Sequence, residues 1–580
     1  MKVAEYIAAF LARQGITHVF ELTGGMIAHV LDAIHLRGDI QLVSVHHEQV
    51  AAFAADAYGR LTGLPGIAMS TGGPGTTNFM TGIGSAYFDS SPAVFFSGAV
   101  NRHEMRGERA IRQLGFQEMD VLGMVRPITK GAWQLQSADE LPELLVRAFR
   151  VAMEGRPGPT VIDLPLDLQM AKVDATEEDI PVVAAGRRGP RAPHAEIGFT
   201  ELAESLAGAR RPLILAGGGV RAAGAVEPLR ELARRTGVPV VGSLLGMDVL
   251  PAGDPLRAGF IGTYGNRWAN TALMQADWLL VVGSRLDVRQ TGARTEEFKG
   301  ERSIFHVDVE AGEVNNRVTG CHAILADVHA FAEQALRASA DWRLPDFAPW
   351  VREIAEMRRT WPDTAELDGV PGINPNAFLG QLSAASRGAA AYTVDVGQHQ
   401  MWAAQSLQPA ADQSVLTSGG MGAMGFSLGA AVGAAFVTAP RAVVVVAGDG
   451  GFQCNIQDLQ TIVHHHLPIK MVVMNNGAHG MLRQFQDSYF GGRYQSSVWG
   501  YSAPSFARVA EAYGIPGRRI EDPAEVEDGL AWLWADPAAP ALLEVAVDLR
   551  ANAWPKVAFG RPLHEMEPLF QPIPFGEEGA

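Results

Sequence analysis

Cysteine is nearly missing from this sequence: 580 residues hold two, Cys321 and Cys454. Two distant thiols frame no disulfide scaffold and show no metal-ligand spacing, which removes small stapled domains and zinc modules from consideration. Basic charge is also short. Lys and Arg number 47 against 63 Asp and Glu, a formal net charge of -16, and no Lys/Arg stripe is interleaved with aromatics. A nucleic acid is therefore not an expected partner. Long apolar runs are absent: stretches such as Ala442 to Ala447 fall far short of the roughly 18 to 20 residues that span a bilayer, and read as buried strands. Met1-Lys2-Val3-Ala4-Glu5 leads into an amphipathic helical pattern without the charged, apolar and small-residue regions of a secretory leader. Cytoplasmic residence, away from membranes, is the expectation.

What the sequence does have is length and alternation. A chain of 580 residues exceeds what one core uses, so two to four domains of roughly 100 to 200 residues are expected. With 47% hydrophobic and 19% charged residues its composition is that of an ordinary globular protein. Short β-branched runs, Ile67-Ala68-Met69-Ser70, Ala93-Val94-Phe95-Phe96 and Val161-Ile162-Asp163-Leu164, alternate with helical stretches such as Ala51 to Leu61. That is the α/β pattern of parallel sheets. Two polar, Pro-containing stretches, Asp174 to Pro193 and Pro345 to Pro375, read as linkers. The expected fold is α/β with three domains, each around a mostly parallel sheet, at residues 1–172, 194–342 and 373–555, followed by a tail at 556–580. In open parallel sheets ligands sit beyond the carboxyl ends of the strands, where glycines and acids collect in this chain.

The most informative motif lies in the third domain. Val443-Val444-Val445-Val446-Ala447 runs into Gly448-Asp449-Gly450-Gly451 and a helix expected to begin near Cys454, while the strand Met471 to Met474 ends in Asn475-Asn476. A hard cation takes oxygen ligands, which Asp449, the Asn476 amide and a nearby carbonyl supply. Gly450 and Gly451 let diphosphate oxygens approach backbone N–H groups at a helix start. The pattern is that of a magnesium–diphosphate clamp. Two other readings stay open on these residues alone. Both segments are ordinary strand-to-turn signals, and Gly420-Met421-Gly422-Ala423-Met424-Gly425 fits G-x-G-x-x-G with Asp449 as the acid of a dinucleotide fold.

Gly448-Asp449-Gly450 followed by Asn475-Asn476 resembles the thiamine-diphosphate signature. Val396 to Ala404, Thr417 to Phe426 and segments along nearly the whole chain are similar to the acetolactate synthase catalytic subunit. The resemblance implies Mg2+ on Asp449, Asn476 and the Ala478 carbonyl. It implies thiamine diphosphate contacts from Gly397, Gln398, His399, Gly422, Met424, Gly450, Gly451 and Met481, with Met424 holding the cofactor bent. Glu48, in His46-His47-Glu48-Gln49, becomes the carboxylate that thiamine chemistry needs beside the aminopyrimidine ring; without the resemblance it is a solvated acid at a helix start. His47 reads as a hydrogen-bonding spacer. Gly25 in Thr23-Gly24-Gly25-Met26, the run Thr71 to Gly75, and Phe116 with Gln117 become lining of the active site. The three domains would be pyrimidine-binding, FAD-type and diphosphate-binding. In the second, Arg156, Gly217, Gly218, Gly219, Gly283, Arg285, Asp287, Asp308 and Asp327 resemble positions that hold FAD, a structural flavin because carboligation has no net redox change. Arg289 would meet the carboxylate of the second substrate with its guanidinium fork.

The activity so implied is decarboxylation of a 2-keto acid, pyruvate, and carboligation of the two-carbon unit to a second 2-keto acid. The unit would be a homodimer or homotetramer in which Glu48 of one chain meets the clamp of another. Four departures reshape the substrate channel: Thr23, Asn101, Val288 and Phe485 stand where the family has proline, proline, aspartate and tryptophan. They leave open a related ligase acting on ketones or nucleotide-linked keto-sugars, and a simple decarboxylase. A pyruvate oxidase and a non-catalytic homologue are further readings, the last opposed by the presence of Glu48.

Overall fold

A computed structural model describes residues 1–183 and 196–573. Three six-stranded sheets, every strand pairing parallel, follow one another along the chain. The N-terminal sheet holds β1 (His18–Leu22), β2 (Gln41–Ser44), β3 (Gly66–Ser70), β4 (Ala93–Ala99), β5 (Gly131–Gln134) and β6 (Pro159–Pro165), in the order β2-β1-β3-β4-β6-β5. The middle sheet holds β7 (Pro212–Ala216), β8 (Val240–Gly242), β9 (Arg257–Phe260), β10 (Trp278–Val282), β11 (Ser303–Asp308) and β12 (His322–Leu325), in the order β12-β11-β10-β7-β8-β9. The C-terminal sheet holds β13 (Ala391–Val394), β14 (Ser414–Thr417), β15 (Val443–Gly448), β16 (Ile469–Asn475), β17 (Gly517–Ile520) and β18 (Ala541–Ala546), in the order β14-β13-β15-β16-β18-β17.

Counted within each domain, the first and third orders are identical, 2-1-3-4-6-5, and the middle one is 3-2-1-4-5-6, the doubly-wound order of dinucleotide folds. Strand order reverses at β1/β3, β7/β10 and β13/β15, and these switch points are where such sheets bind ligands. The central strands read as unbroken apolar runs because helices cover both faces; β3, β7, β10 and β15 are buried at every position.

The first and third domains share a core. The Ala-rich helix Glu48–Thr62 lies along the helix Phe426–Thr438, and small residues let the backbones approach. A Cβ on Gly429 would stand 2.9 Å from Phe53, and one on Gly433 would overlap the Ala54 carbonyl.

The second expected linker proves to be structured. Residues 348–360 form the helix Ala348–Thr360, whose Trp350 and Ile354 are buried in the middle core, with Trp350 Nε1 donating to Pro212 O at 3.1 Å. The middle domain therefore extends past residue 342. The expected tail also folds: Lys556–Val557 and Met566–Glu567 pair antiparallel, and Val557, Leu563 and Met566 enter that same core. Part of the first expected linker, the expected middle-domain start at 194, and residues 574–580 lie outside the described residues. No described helix is long and apolar enough to cross a membrane.

Candidate active site

On the C-terminal sheet, β15 delivers Asp449 and its neighbour β16 delivers Asn476 just past its end. The helix here is Asp449–Cys454, so it begins at the aspartate rather than near Cys454. Gly448 supplies the extended residue before it, and the glycines that follow are helical. Asp449 is buried, and its Oδ2 has no hydrogen-bond partner among the described residues. Burial pushes its carboxyl up to about 6. A buried carboxylate oxygen without a donor is costly unless a cation meets it, so this oxygen fits a divalent cation. Of the asparagine pair, Asn475 is spent on Glu544 (2.9 Å), whereas Asn476 folds the turn by accepting from Ala478 N (3.2 Å) and donates to Gln398 (3.0 Å).

Around this pair the chain leaves no room for side chains. A Cβ on Gly450 would lie 3.0 Å from the His479 ring and 3.2 Å from Met424 Cε, and one on Gly451 would overlap Asp395. Met424 thus sits over the turn that Asp449 opens. Gly422 holds a φ of 70°, a left-handed conformation in the loop that leads to Met424. Met481 is half-buried in the first turn of the helix Gly480–Tyr489. The Gln398 amide is buried between Asn476 and Gln484, to which it donates at 3.1 Å, so its own hydrogen bonds fix the clamp. The His399 ring lies beside Gly397 and Gly448, with Nε2 buried and unpartnered. Burial pushes this ring down to about 4, which keeps it neutral at ordinary pH.

The N-terminal sheet presents a different set. Glu48 opens the helix Glu48–Thr62 and is buried; Asn78 Nδ2 donates to its Oε2 at 2.9 Å, and its Oε1 lies 3.2 Å from where a Gly75 Cβ would stand. The solvated-acid reading therefore fails. His47 is the N-cap, its ring accepting from Gln49 N at 3.1 Å, which is the spacer role expected of it. Thr71 packs against Gly24, while a Cβ on Gly25 would meet nothing within 4 Å. Gly73 lies against Gln117, which itself holds a φ of 64°, and Phe116 beside it is 80% exposed. Such a conformation costs a non-glycine residue on the order of 1 kcal/mol and tends to persist at functional sites.

Two half-sites result. Asp449, Asn476, Gln398, His399 and Met424 gather at the β13/β15/β16 ends, whereas Glu48, Gly25, Phe116 and Gln117 belong to the N-terminal loops. Among the described residues no clamp side chain hydrogen-bonds Glu48.

In the middle domain the glycines meet at the β7/β10 switch point. Gly219 N donates to Gly283 O at 2.9 Å, a Cβ on Gly217 would overlap Gly283 O, and Gly218 faces Leu245. The fold's own close packing thus accounts for these glycines whether or not a dinucleotide lies above them. Asp287 and Asp327 cap the helices Val288–Thr291 and Val328–Ala338. Asp308, pushed up by burial, accepts from Glu310 N at 2.9 Å. Arg156 is committed, donating to Glu310 (2.9 Å), Glu313 (2.8 Å) and Ser90 (2.7 Å), which ties the first domain to the second. Arg285 pairs with Asp287 at 3.4 Å, and Arg289 is exposed, its guanidinium without an ion pair among the described residues.

Two site residues escaped sequence reasoning. Asn78 carries no signal beyond a helical position. Asp395 precedes the Gly397 turn and accepts from Val396 N, Gly425 N, and both N and Oγ of Ser427 at 2.7–3.0 Å, pinning the Met424 loop from below. An acid ending a buried strand was its available signal.

Family models match this architecture domain by domain. Residues 1–124 match the thiamine pyrophosphate enzyme N-terminal TPP binding domain, residues 199–335 the central domain, and residues 395–545 the C-terminal TPP binding domain. The chain belongs to the family of thiamine pyrophosphate enzymes. Its likeness narrows further, to the acetolactate synthase large subunits. It is 36% identical to the acetolactate synthase isozyme 2 large subunit of Escherichia coli, over 98% of this chain and 99% of that protein. It is 33% identical to the acetolactate synthase large subunit of Lactococcus lactis (97% and 95%) and 32% identical to the acetolactate synthase of Mycobacterium bovis (99% and 93%).

Proposed function

We propose that this chain decarboxylates pyruvate and joins the two-carbon unit to a second 2-keto acid, the acetolactate synthase reaction named for its relatives. The observation that carries the reading is the buried Asp449 Oδ2, without a hydrogen-bond partner among the described residues, beside Asn476 and next to Gln398 and His399, which follow the neighbouring strand β13. Asp449, Asn476 and the Ala478 carbonyl would hold Mg2+. The backbone of Gly450 and Gly451, with His399, would hold the diphosphate, and Met424 would support the ring system. Bound thiamine diphosphate supplies an electron sink for loss of CO2 from a 2-keto acid.

The chain's own residues do the rest. Asn78 holds Glu48 by Oε2, which leaves Oε1 to exchange a proton with the aminopyrimidine. Gln117 and Phe116 border the substrate, and Gly25 keeps the approach open. Arg289, exposed and without an ion pair among the described residues, would take the acceptor's carboxylate. The middle domain would carry FAD at its switch point without redox work, with Arg285 rather than Arg156 offering free donors. Glu48 of one chain would serve the clamp of a second copy, so the working unit would be at least a dimer in which each site draws on both copies, dissolved in the cytoplasm.

Product analysis by NMR tests the reading. Purified protein with thiamine diphosphate, Mg2+ and FAD is given pyruvate, alone or with 2-ketobutyrate or simple ketones. Acetolactate from pyruvate alone is expected. Acetaldehyde alone, or adducts only with ketones, overturns the acceptor assignment and withdraws the role of Arg289.

A further inference from the structure

The loop that carries Met424 is anchored by the first domain of its own chain. Asp89, buried at the end of the helix Pro74–Phe88, accepts from Gly420 N (2.6 Å) through Oδ1 and from Gly419 N (3.1 Å) through Oδ2. Arg60 donates to that Oδ2 (3.1 Å) and to Thr417 O (2.9 Å), and its guanidinium lies 5.3 Å from the Phe426 ring centroid. Asp56 pairs with Arg60 Nε at 2.5 Å and shares its Nη2 with Asp89 (3.1 Å), and Ser91 bridges Arg60 and Asp56. Ser85 and Ser418 hydroxyls meet at 3.1 Å, and Ser418 Oγ accepts from Ala423 N at 3.1 Å. Phe88 fills the space beside Gly420.

Two features set this apart from generic packing. The cluster buries two carboxyl groups around one guanidinium, and a backbone N–H pair of the loop is what Asp89 accepts from there. Every anchored atom, from Thr417 to Ala423, lies within seven residues of Met424, and that residue's other support, Asp395, belongs to the loop's own domain. The loop is therefore held between two domains.

We propose that Asp89 and Arg60 are positioning residues that set the Met424 loop, so that the N-terminal domain of a chain determines how its own C-terminal domain meets thiamine diphosphate. The proposal rests on the cofactor reading above. Asp89→Asn keeps the Arg60–Asp56 pair and one amide acceptor, while its NH2 group must face a loop N–H that the carboxylate accepted from, so the substitution acts directly on the loop.

The test is thiamine diphosphate titration of the full-length protein with saturating Mg2+, followed by tryptophan fluorescence, beside the melting curve of the cofactor-free protein. Asp89→Asn is expected to weaken cofactor binding about tenfold, on the scale of one charge-assisted hydrogen bond, with the cofactor-free protein melting somewhat lower but still in one cooperative transition. KM for pyruvate should move less than the cofactor constant. Unchanged cofactor affinity in the folded variant overturns the inference while the cofactor reading stands; wild-type protein that binds no thiamine diphosphate overturns the cofactor reading itself. Hydrogen exchange on the wild-type chain gives a check that needs no variant. Gly419 and Gly420 amides should exchange as slowly as those of β14, and free exchange there overturns the inference.

Discussion

At the scale of single residues, the chemistry is set by which buried polar atoms have partners. Glu48 has one donor and one oxygen left over. Replacing it with Gln should lower CO2 release from pyruvate by about 10²- to 10⁴-fold, the usual worth of a positioned acid–base group, while cofactor titration stays near wild type. Near-normal CO2 release would remove Glu48 from the mechanism. Asp163 behaves differently: burial pushes its carboxyl up to about 6, against the help of Gln134. In the folded chain it takes up a proton as pH falls through 6, while the unfolded chain does so only near the ordinary value of 3.8. Its burden is therefore fully present above pH 6 and fades as pH falls toward 4. Asp163→Asn should raise stability by about 3 kcal/mol at pH 7.5, with the gain vanishing near pH 4. Urea melts at the two pH values check the sign. In the sequence, Asp449 and Asn476 stand out as candidates by their place at strand ends, and Glu48 through the resemblance. The sequence did not show that Gln398 and Arg156 are already engaged, since those partners lie 78 and 154 residues away.

Elements carry the second layer, and strands were the easier part to read. The β-branched runs at 67–70, 93–96, 161–164 and 443–447 all lie within strands because burial on both faces removes any conflict between pattern and propensity. The stretch 345–375 was misread as a linker because prolines at 345, 349, 362, 371 and 375 dominate it; Pro349 in fact sits in the first turn of the helix Ala348–Thr360, where proline is tolerated. Helix pairing was the least legible feature. Gly429 and Gly433 look like flexible positions, yet they are the contact stripe against the Glu48–Thr62 helix. Gly433→Ala should force the two helices apart at Ala54, and a loss of about 1–3 kcal/mol is expected, as in other overpacked cores. A melting temperature equal to wild type would mean that the helices can slide.

The whole molecule is two copies of one strand order with a differently ordered domain between them. That repetition is one of strand connection. The middle domain is also less separate than its boundaries suggested, since the helix Ala348–Thr360 from the second expected linker and the segment around Met566 from the expected tail complete its core. The proposed sharing of each site between Glu48 of one chain and the clamp of another has a genetic reading as well. Alleles with Glu48→Gln and with Asp449→Asn should each be dead alone yet complement each other, because a mixed pair builds one site from the two undamaged halves. Random pairing makes about half the dimers mixed, each with one working site, so about a quarter of wild-type activity should return when the two chains are co-expressed. No recovery would mean that each polypeptide keeps its reaction to itself.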